Sequence, residues 1–335
     1  MGKIGILMLF ISVTLSTFSQ EHISIAKRFF SLFKPNIDTT YIANGPHNFS
    51  IKPYAKTEQG ITSFLYSDTI ENAQNYSFKI TDIPTLLLGL ELSYKGFSFG
   101  YDVNSKILSG KRKDKGYDFN CSYYGQNFGT DFFFSTKNQV EIKNDNDKKI
   151  YDKTIDCFST SRFQASIYYI LRNQIFSMPA AFTQSIIQKK SAGSIIFGIN
   201  ATNTLILLNT SKIPTGLDSI LVANTMFKHF RQTALGISCG YGRNIVRNHF
   251  VFHFSVQPYL PIYMEKKIKL TNGEKLQSDM WDLNVGIKSR GAINWFYKHH
   301  AINFNTVIDA NVANQVHLNA TDAFVRFYLS YKYVF

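Results

Sequence analysis

Val325-Arg326-Phe327-Tyr328-Leu329-Ser330-Tyr331-Lys332-Tyr333-Val334-Phe335 ends the chain, and its alternation decides the fold. Val325, Phe327, Leu329, Tyr331, Tyr333 and Phe335 share one parity; Arg326, Tyr328, Ser330 and Lys332 share the other. Side chains of a strand alternate between its faces, so this segment has one apolar and one polar face. In a soluble sandwich the apolar face would meet a core, whereas in an outer-membrane barrel it meets lipid.

The pattern recurs upstream. From Trp281, the residues Leu283, Val285, Ile287, Ile293, Trp295 and Tyr297 oppose Asp282, Asn284, Lys288, Arg290 and Asn294, a register longer than most soluble strands. Phe250, Phe252, Phe254, Val256 and Leu260 oppose His249, His253, Ser255 and Gln257. Phe163 to Leu171, Tyr117 to Tyr123 and Leu86 to Tyr94 alternate in the same way. Further strands are expected near 47–54, 97–103, 128–136, 194–207, 233–243 and 299–310. The expected fold is all-β, a transmembrane antiparallel barrel over 46–335 with about 12 strands, in the range of roughly 10–14, bacterial barrels of this kind being even-numbered.

Connections alternate too. Lys95-Gly96, Gly125-Gln126 and Lys298-His299 are tight and Arg243 to Asn248 is short, while 104–116, 137–161, 208–230 and 261–280 are long and polar. Short turns at one end and long loops at the other are the barrel arrangement, which puts both termini on the periplasmic side. Residues 173–191 fall where a short turn is expected and read either as a further strand or as an insertion folded into the lumen.

Composition agrees with this reading. Of 335 residues, 44% are apolar, too many for a disordered chain, and 18% are charged, below the roughly 25% of an ordinary soluble domain. The 30 Phe and 19 Tyr favour strands over helical bundles. The net charge of +13 is scattered singly, which argues against a nucleic-acid interface. Lys3, the uncharged run Ile4 to Leu15 and Thr17-Phe18-Ser19 describe a secretory signal peptide over 1–19, followed by a periplasmic segment over 20–45. Past residue 20 no apolar run is long enough for a spanning helix, so a membrane-embedded mature chain must be a barrel. Cys121, Cys157 and Cys239 show no zinc or redox spacing.

The parities assign Glu91, Asp102, Asp118, Asp131, Asp282 and Asp309 to the lumen, with Lys52, Lys95, Arg162, Arg172, Lys288, Arg290, Arg326 and Lys332. Charges of both signs in a narrow lumen should pair and close it, since a selective pore favours one sign along a wall. Tyr94, Tyr123, Tyr241, Tyr297 and Tyr333 fall on the outward parity near short turns or a terminus, as an aromatic girdle would. Tyr331, Tyr333 and Phe335 resemble the terminal signal read by the barrel-assembly machinery.

Phe176-Ser177-Met178-Pro179-Ala180-Ala181-Phe182-Thr183-Gln184, followed by Gln188-Lys189-Lys190-Ser191-Ala192-Gly193-Ser194, resembles an uncharacterised family of Bacteroidota outer-membrane proteins, the domain of unknown function 4421. Asp38-Thr39-Thr40-Tyr41-Ile42 and Leu90 to Tyr101 look like its other signatures. The resemblance implies an outer-membrane barrel and supplies neither an activity nor functional residues.

No catalytic or cofactor constellation emerges. Gly236-Ile237-Ser238-Cys239-Gly240 matches a nucleophile elbow in letters, but it sits inside an alternating strand where no strand-to-helix turn can form. His249 and His253, four residues apart on a strand, would stand about 13 Å apart, too far to share a metal. Lys111-Arg112-Lys113-Asp114-Lys115 and Lys266-Lys267-Ile268-Lys269 fall in expected outer loops, where they would attract lipopolysaccharide phosphates. The expected partners are thus outer-membrane lipid, lipopolysaccharide and the assembly machinery. An outer-membrane protein of structural, surface or narrow gated transport role is the first reading; the alternatives are a lipid hydrolase, a porin-like channel and a soluble sandwich.

Overall fold

The computed structural model describes residues 37–45, 49–67, 75–94, 96–105, 117–138, 140–143, 157–212, 227–270, 275–279, 285–297, 299–313 and 318–334. The expected leader, Lys95, the 111–115 run, Asp282 and Phe335 lie outside the described residues.

The strands are β1 (Ile42–Asn44), β2 (Phe49–Ser67), β3 (Asn75–Asp82), β4 (Thr85–Tyr94), β5 (Phe97–Asn104), β6 (Tyr117–Tyr124), β7 (Phe128–Lys137), β8 (Val140–Lys143) and β9 (Phe158–Ile170). After the helix α1 (Pro179–Phe182) come β10 (Ile186–Gln188), β11 (Ala192–Leu208), β12 (Phe227–Arg247), β13 (Phe250–Leu270), β14 (Lys275–Asp279), β15 (Val285–Tyr297), β16 (His300–Ala313) and β17 (Leu318–Val334). Twelve of them, β2, β4, β5, β6, β7, β9, β11, β12, β13, β15, β16 and β17, form an antiparallel ring. The ring closes where β17 pairs β2, from Leu318 with Tyr66 to Val334 with Ser50. Closure leaves no unpaired edge, the condition for strands to cross lipid. β3, β8 and β14 extend the wall at the end of the long connections.

The outer face is apolar. Leu86, Leu88, Leu90, Leu92, Phe97, Phe99, Ile167, Ile199, Ile237 and Leu329 are all exposed on it. Along β13 the outward positions from Phe252 to Ile262 are Phe252, Phe254, Val256, Pro258, Leu260 and Ile262. Ten steps at ~3.3 Å, projected through a tilt of about 40°, give an apolar belt of about 25 Å, the height such barrels present to a bilayer. Past the belt a bulge opposite Leu235 and Gly236 shifts the register by one residue. The outward positions then become Tyr263, Glu265, Lys267 and Lys269.

Several expected boundaries change for this reason. β2 runs past 54 to Ser67, and β13 occupies 261–270, which was expected as loop. Beyond the belt the outward positions turn polar, so the apolar alternation fades while the hydrogen-bond ladder continues. The Lys266 to Lys269 run is accordingly strand: Lys266 is buried in the lumen and Lys267 and Lys269 are exposed on the outer wall. The turn after β12 falls at Asn248, where φ is 53°. Tyr241 therefore lies six residues inside the end of β12, with exposed Arg243 between it and the turn. Tyr94, Tyr297 and Tyr333 lie outward beside short turns or the last strand's end, and the Tyr123 ring lies tilted against Phe97 of the neighbouring strand, with centroids 4.4 Å apart.

Residues 173–191 add no strand to the ring. They fold back into the lumen at the short-turn end as α1 and β10, and β10 pairs with β1 of the N-terminal segment.

Candidate functional site

The interior is filled in three storeys, beginning with the plug at the short-turn end. Pro179 starts α1 at its first turn, where a missing N–H costs nothing. Phe176, Met178, Ala181 and Phe182 bury themselves against Tyr168, Ile170, Ile196 and Ala292 of the wall. The exposed backbone of this short segment is tied down by wall amides and an ammonium. Asn294 Nδ2 donates to the Ala181 carbonyl at 2.8 Å, and Lys332 Nζ donates to the Thr183 carbonyl. Gln188 Nε2 donates to the Ile175 carbonyl at 2.7 Å while its Oε1 accepts from Ser177 N–H at 3.0 Å. Outside the barrel wall, the Thr40 hydroxyl and N–H both donate to Asp38 and hold its carboxyl below its usual pKa.

Wall and plug also meet in one hydrogen-bonded chain. Asn244 Nδ2 donates to the Ser177 carbonyl at 2.7 Å and to Gln188 Oε1 at 3.1 Å, which leaves Asn244 Oδ1 to accept from His253 Nδ1 at 2.8 Å. The tautomer that follows makes His253 Nε2 the acceptor of the Ser255 hydroxyl at 3.2 Å. A serine, a histidine and a polar third residue are thus assembled, which sequence reasoning did not achieve because β12 and β13 had to be put in register first. The group is buried in the lumen, with His253 between the rings of Phe176 at 6.0 Å and Phe182 at 5.0 Å.

In the middle storey charges reach across the lumen. Arg290 Nη2 on β15 binds Asp131 on β7, Lys288 Nζ donates to Ser166 Oγ on β9 at 2.7 Å, and Arg326 Nη2 on β17 donates to Gln164 Oε1 on β9 at 3.1 Å. None of these strand pairs is adjacent in the ring, so the contacts span the bore. Lys52 and Glu91 pair at 2.7 Å on neighbouring strands.

Above lies a fully buried network. Lys56 Nζ sits 3.1 Å from Glu58, 3.0 Å from Asp102 and 3.0 Å from Asp118, and Lys137 bridges Glu58 at 2.7 Å and Asp118 at 3.3 Å. Arg162 binds Asp82 and approaches Asp322 at 3.6 Å. Aromatic rings cap it: Phe64 meets Phe230 edge-on at 4.9 Å, Phe133 lies 5.4 Å from Phe324, and the Arg326 guanidinium stacks 4.0 Å over Phe133. Charge delocalised over a planar guanidinium suits such stacking.

Of the residues assigned to the lumen by parity, Asp102, Asp118, Arg162, Lys288, Arg290, Asp309, Arg326 and Lys332 are buried inside, and Glu91 and Asp131 are half-buried there. Arg172 is not: β9 ends at Ile170, and Arg172 is exposed in the turn that begins the plug. Lys56, Glu58, Asp82, Lys137 and Asp322 complete the network without having been singled out. Lys56 and Glu58 continue the even parity of Lys52 and could have been found by extending it. Tyr331 and Tyr333 are exposed on the outer wall, with Tyr331 Oη 2.6 Å from His300 Nδ1. Ser238 takes a hydrogen bond from Asn200 at 2.9 Å within the wall, where Cys121 and Cys239 are free thiols.

A closed barrel with an apolar outer belt and a polar interior resides in a bacterial outer membrane. Among solved structures the chain is similar to the outer membrane protease OmpT of Escherichia coli, at 8% identity over 88% of this chain and 98% of that one, with a TM-score of 0.46. It is also similar to the β domain of the Bordetella autotransporter BrkA, at 12% identity over 85% and 99% with a TM-score of 0.35. OprG of Pseudomonas aeruginosa matches at 11% identity over 89% and 99%, with a TM-score of 0.29. No curated protein sequence matches. The family model of the domain of unknown function DUF4421 matches residues 36–333, and the chain belongs to that family.

Proposed function

We propose that this outer-membrane barrel of a Bacteroidota cell is shut at rest and acts as a narrow, gated passage. The observation that carries the reading is the set of bonds across the bore at Arg290, Lys288 and Arg326, standing above a plug made of the chain's own residues. An open diffusion pore would show a continuous one-signed wall, whereas here both signs interdigitate. Short turns face the periplasm in this reading, so the plug closes the barrel from the periplasmic side. Outward Arg231, Lys267 and Lys269 stand beyond the apolar belt, where they would meet lipopolysaccharide phosphates. The terminal Tyr331, Tyr333 and Phe335 would serve the assembly machinery.

The test is planar-bilayer recording of the refolded protein beside a variant in which residues 175–189 are replaced by a short glycine-rich turn. The wild type should show low or no conductance, and the variant should show discrete openings. Large, stable wild-type currents that rise little on removing the plug would sink the reading in favour of a porin. The lipid-hydrolase alternative is favoured only by the Ser255, His253 and Asn244 chain, and a lipid on the outer wall does not reach a hydroxyl buried in the lumen.

A further inference from the structure

At mid-barrel a cavity of about 90 Å³ lies between the plug and the upper network. Four cations line it, Lys52, Lys288, Arg290 and Arg326, against two carboxylates, Glu91 and Asp131. Two of the cations are satisfied, since Lys52 pairs with Glu91 and Arg290 with Asp131. Lys288 and Arg326 are left over. Among the described residues each has a neutral partner, the Ser166 hydroxyl and the Gln164 carbonyl, and neither has a carboxylate within ion-pair distance. Asp309, the register partner of Lys288, adds one negative charge beside the cavity without reaching ion-pair distance, its hydrogen bond being to the Tyr259 hydroxyl. Lys288 is 4% exposed and Arg326 7%. In addition, Arg290 Nη1 and Arg326 Nε are buried without an acceptor.

A buried cation without counter-charge is strongly destabilising, and a buried donor without an acceptor adds to that cost. Two strands on either side of β16, β15 and β17, have converged two guanidinium groups and an ammonium on one polar cavity, whose lining carries four cations against two carboxylates. We infer that this cavity binds one small oxyanion of the phosphate or sulfate class, held by Lys288, Arg290 and Arg326. Guanidinium forks match the oxygen spacing of such an anion, and its negative charge offsets the surplus of cations that remains after Glu91, Asp131 and Asp309 are counted. The inference concerns binding, and its test rests on the shut state of the proposed function, whose failure is read separately as conductance of the same refolded protein.

Because a shut barrel blocks entry after folding, the test starts from denatured protein refolded in detergent with radiolabelled inorganic phosphate, then freed of excess by gel filtration. Folding is verified by heat-modifiable mobility. The wild type should retain about one phosphate per barrel, displaced when sulfate is included during refolding. Arg326→Gln should retain less than a tenth as much. Lys288→Met, which replaces an unpaired ammonium by an apolar chain of similar length, should also lose retention, yet fold at least as well as wild type without any anion. Retention below a tenth of an equivalent by the wild type would overturn the inference and make the cavity one for water. Equal retention by wild type and either folded variant would overturn it as well.

Discussion

The ring of Tyr54 occupies the space that a side chain at Gly89, its register partner on the neighbouring strand, would need. Tyr168 does the same over Gly129, and Tyr259 over Gly286. At each place a glycine lets an inward tyrosine lie down along the wall. For Tyr54 this carries the hydroxyl to Asp102 at 2.7 Å.

Gly89→Val should therefore lift that ring and break its bond to Asp102. Overpacking of this kind costs about 1–3 kcal/mol. The midpoint of heat-modifiable mobility, or urea unfolding in micelles, should fall accordingly, and Tyr54→Phe should cost less. A neutral Gly89→Val would show that the ring is not pinned against this wall.

Lys56→Met should be among the most damaging single changes. It leaves Glu58, Asp102 and Asp118 with Lys137 as the remaining ammonium, and breaking a buried pair costs about 3–5 kcal/mol. Adding Asp118→Asn should recover part of the loss, which a double-mutant cycle on unfolding would read directly. If the double variant is no better than Lys56→Met, the ammonium is not balancing that carboxylate.

Asn244→Ala should loosen the plug without opening the ring. It removes the donor to Ser177 and Gln188 and the acceptor that orients His253. Amide exchange in 175–189 should quicken at least tenfold while that of β12 and β13 changes little. Uniform quickening of wall and plug would mean that they unfold as one unit.

Ser255 should not react with a fluorophosphonate in the folded wild type, because Phe176 and Phe182 enclose its histidine. Labelling of Ser255 that His253→Ala abolishes would revive the hydrolase alternative.

Deleting Phe335 should leave protein in the periplasm and cut the amount inserted severalfold, as fractionation followed by gel mobility would report. Normal insertion of the truncated chain would remove Phe335 from any role in assembly.

Where the sequence was legible, lipid was the reason. Leu86 to Tyr94 and Phe250 to Leu260 face hydrocarbon outward, so their polarity switches at every residue and both strand and facing can be read directly. The closed ring of twelve follows the same signal. Past the belt, Thr57 and Gln59 on β2 are outward but polar, and the alternation that would have revealed Lys56 and Glu58 is muted. The bulge at Ile262 hides β13 further by switching its inward parity from odd to even. Asn244, His253 and Ser255 illustrate another limit: His253 and Ser255 share a legible strand face, but Asn244 falls in 243–248, expected as a turn, and their meeting depends on the register of two strands and on a plug drawn from elsewhere in the chain. Arg172 was misplaced because apolar Leu171 carries the alternation one step past the true end of β9.

The pairing of β1 with β10 ties the first described strand to the middle of the chain, Ile42 against Gln188, while the seam joins Ile51 to Tyr333. Both contacts are late by construction. The seam waits for the last strand to be made, and the small sheet needs its midpoint hairpin tucked beneath residues that are already fastened to the wall through β2. Long-range closures of this sort are slow. Anything that the finished, shut barrel encloses must therefore enter before both closures are made.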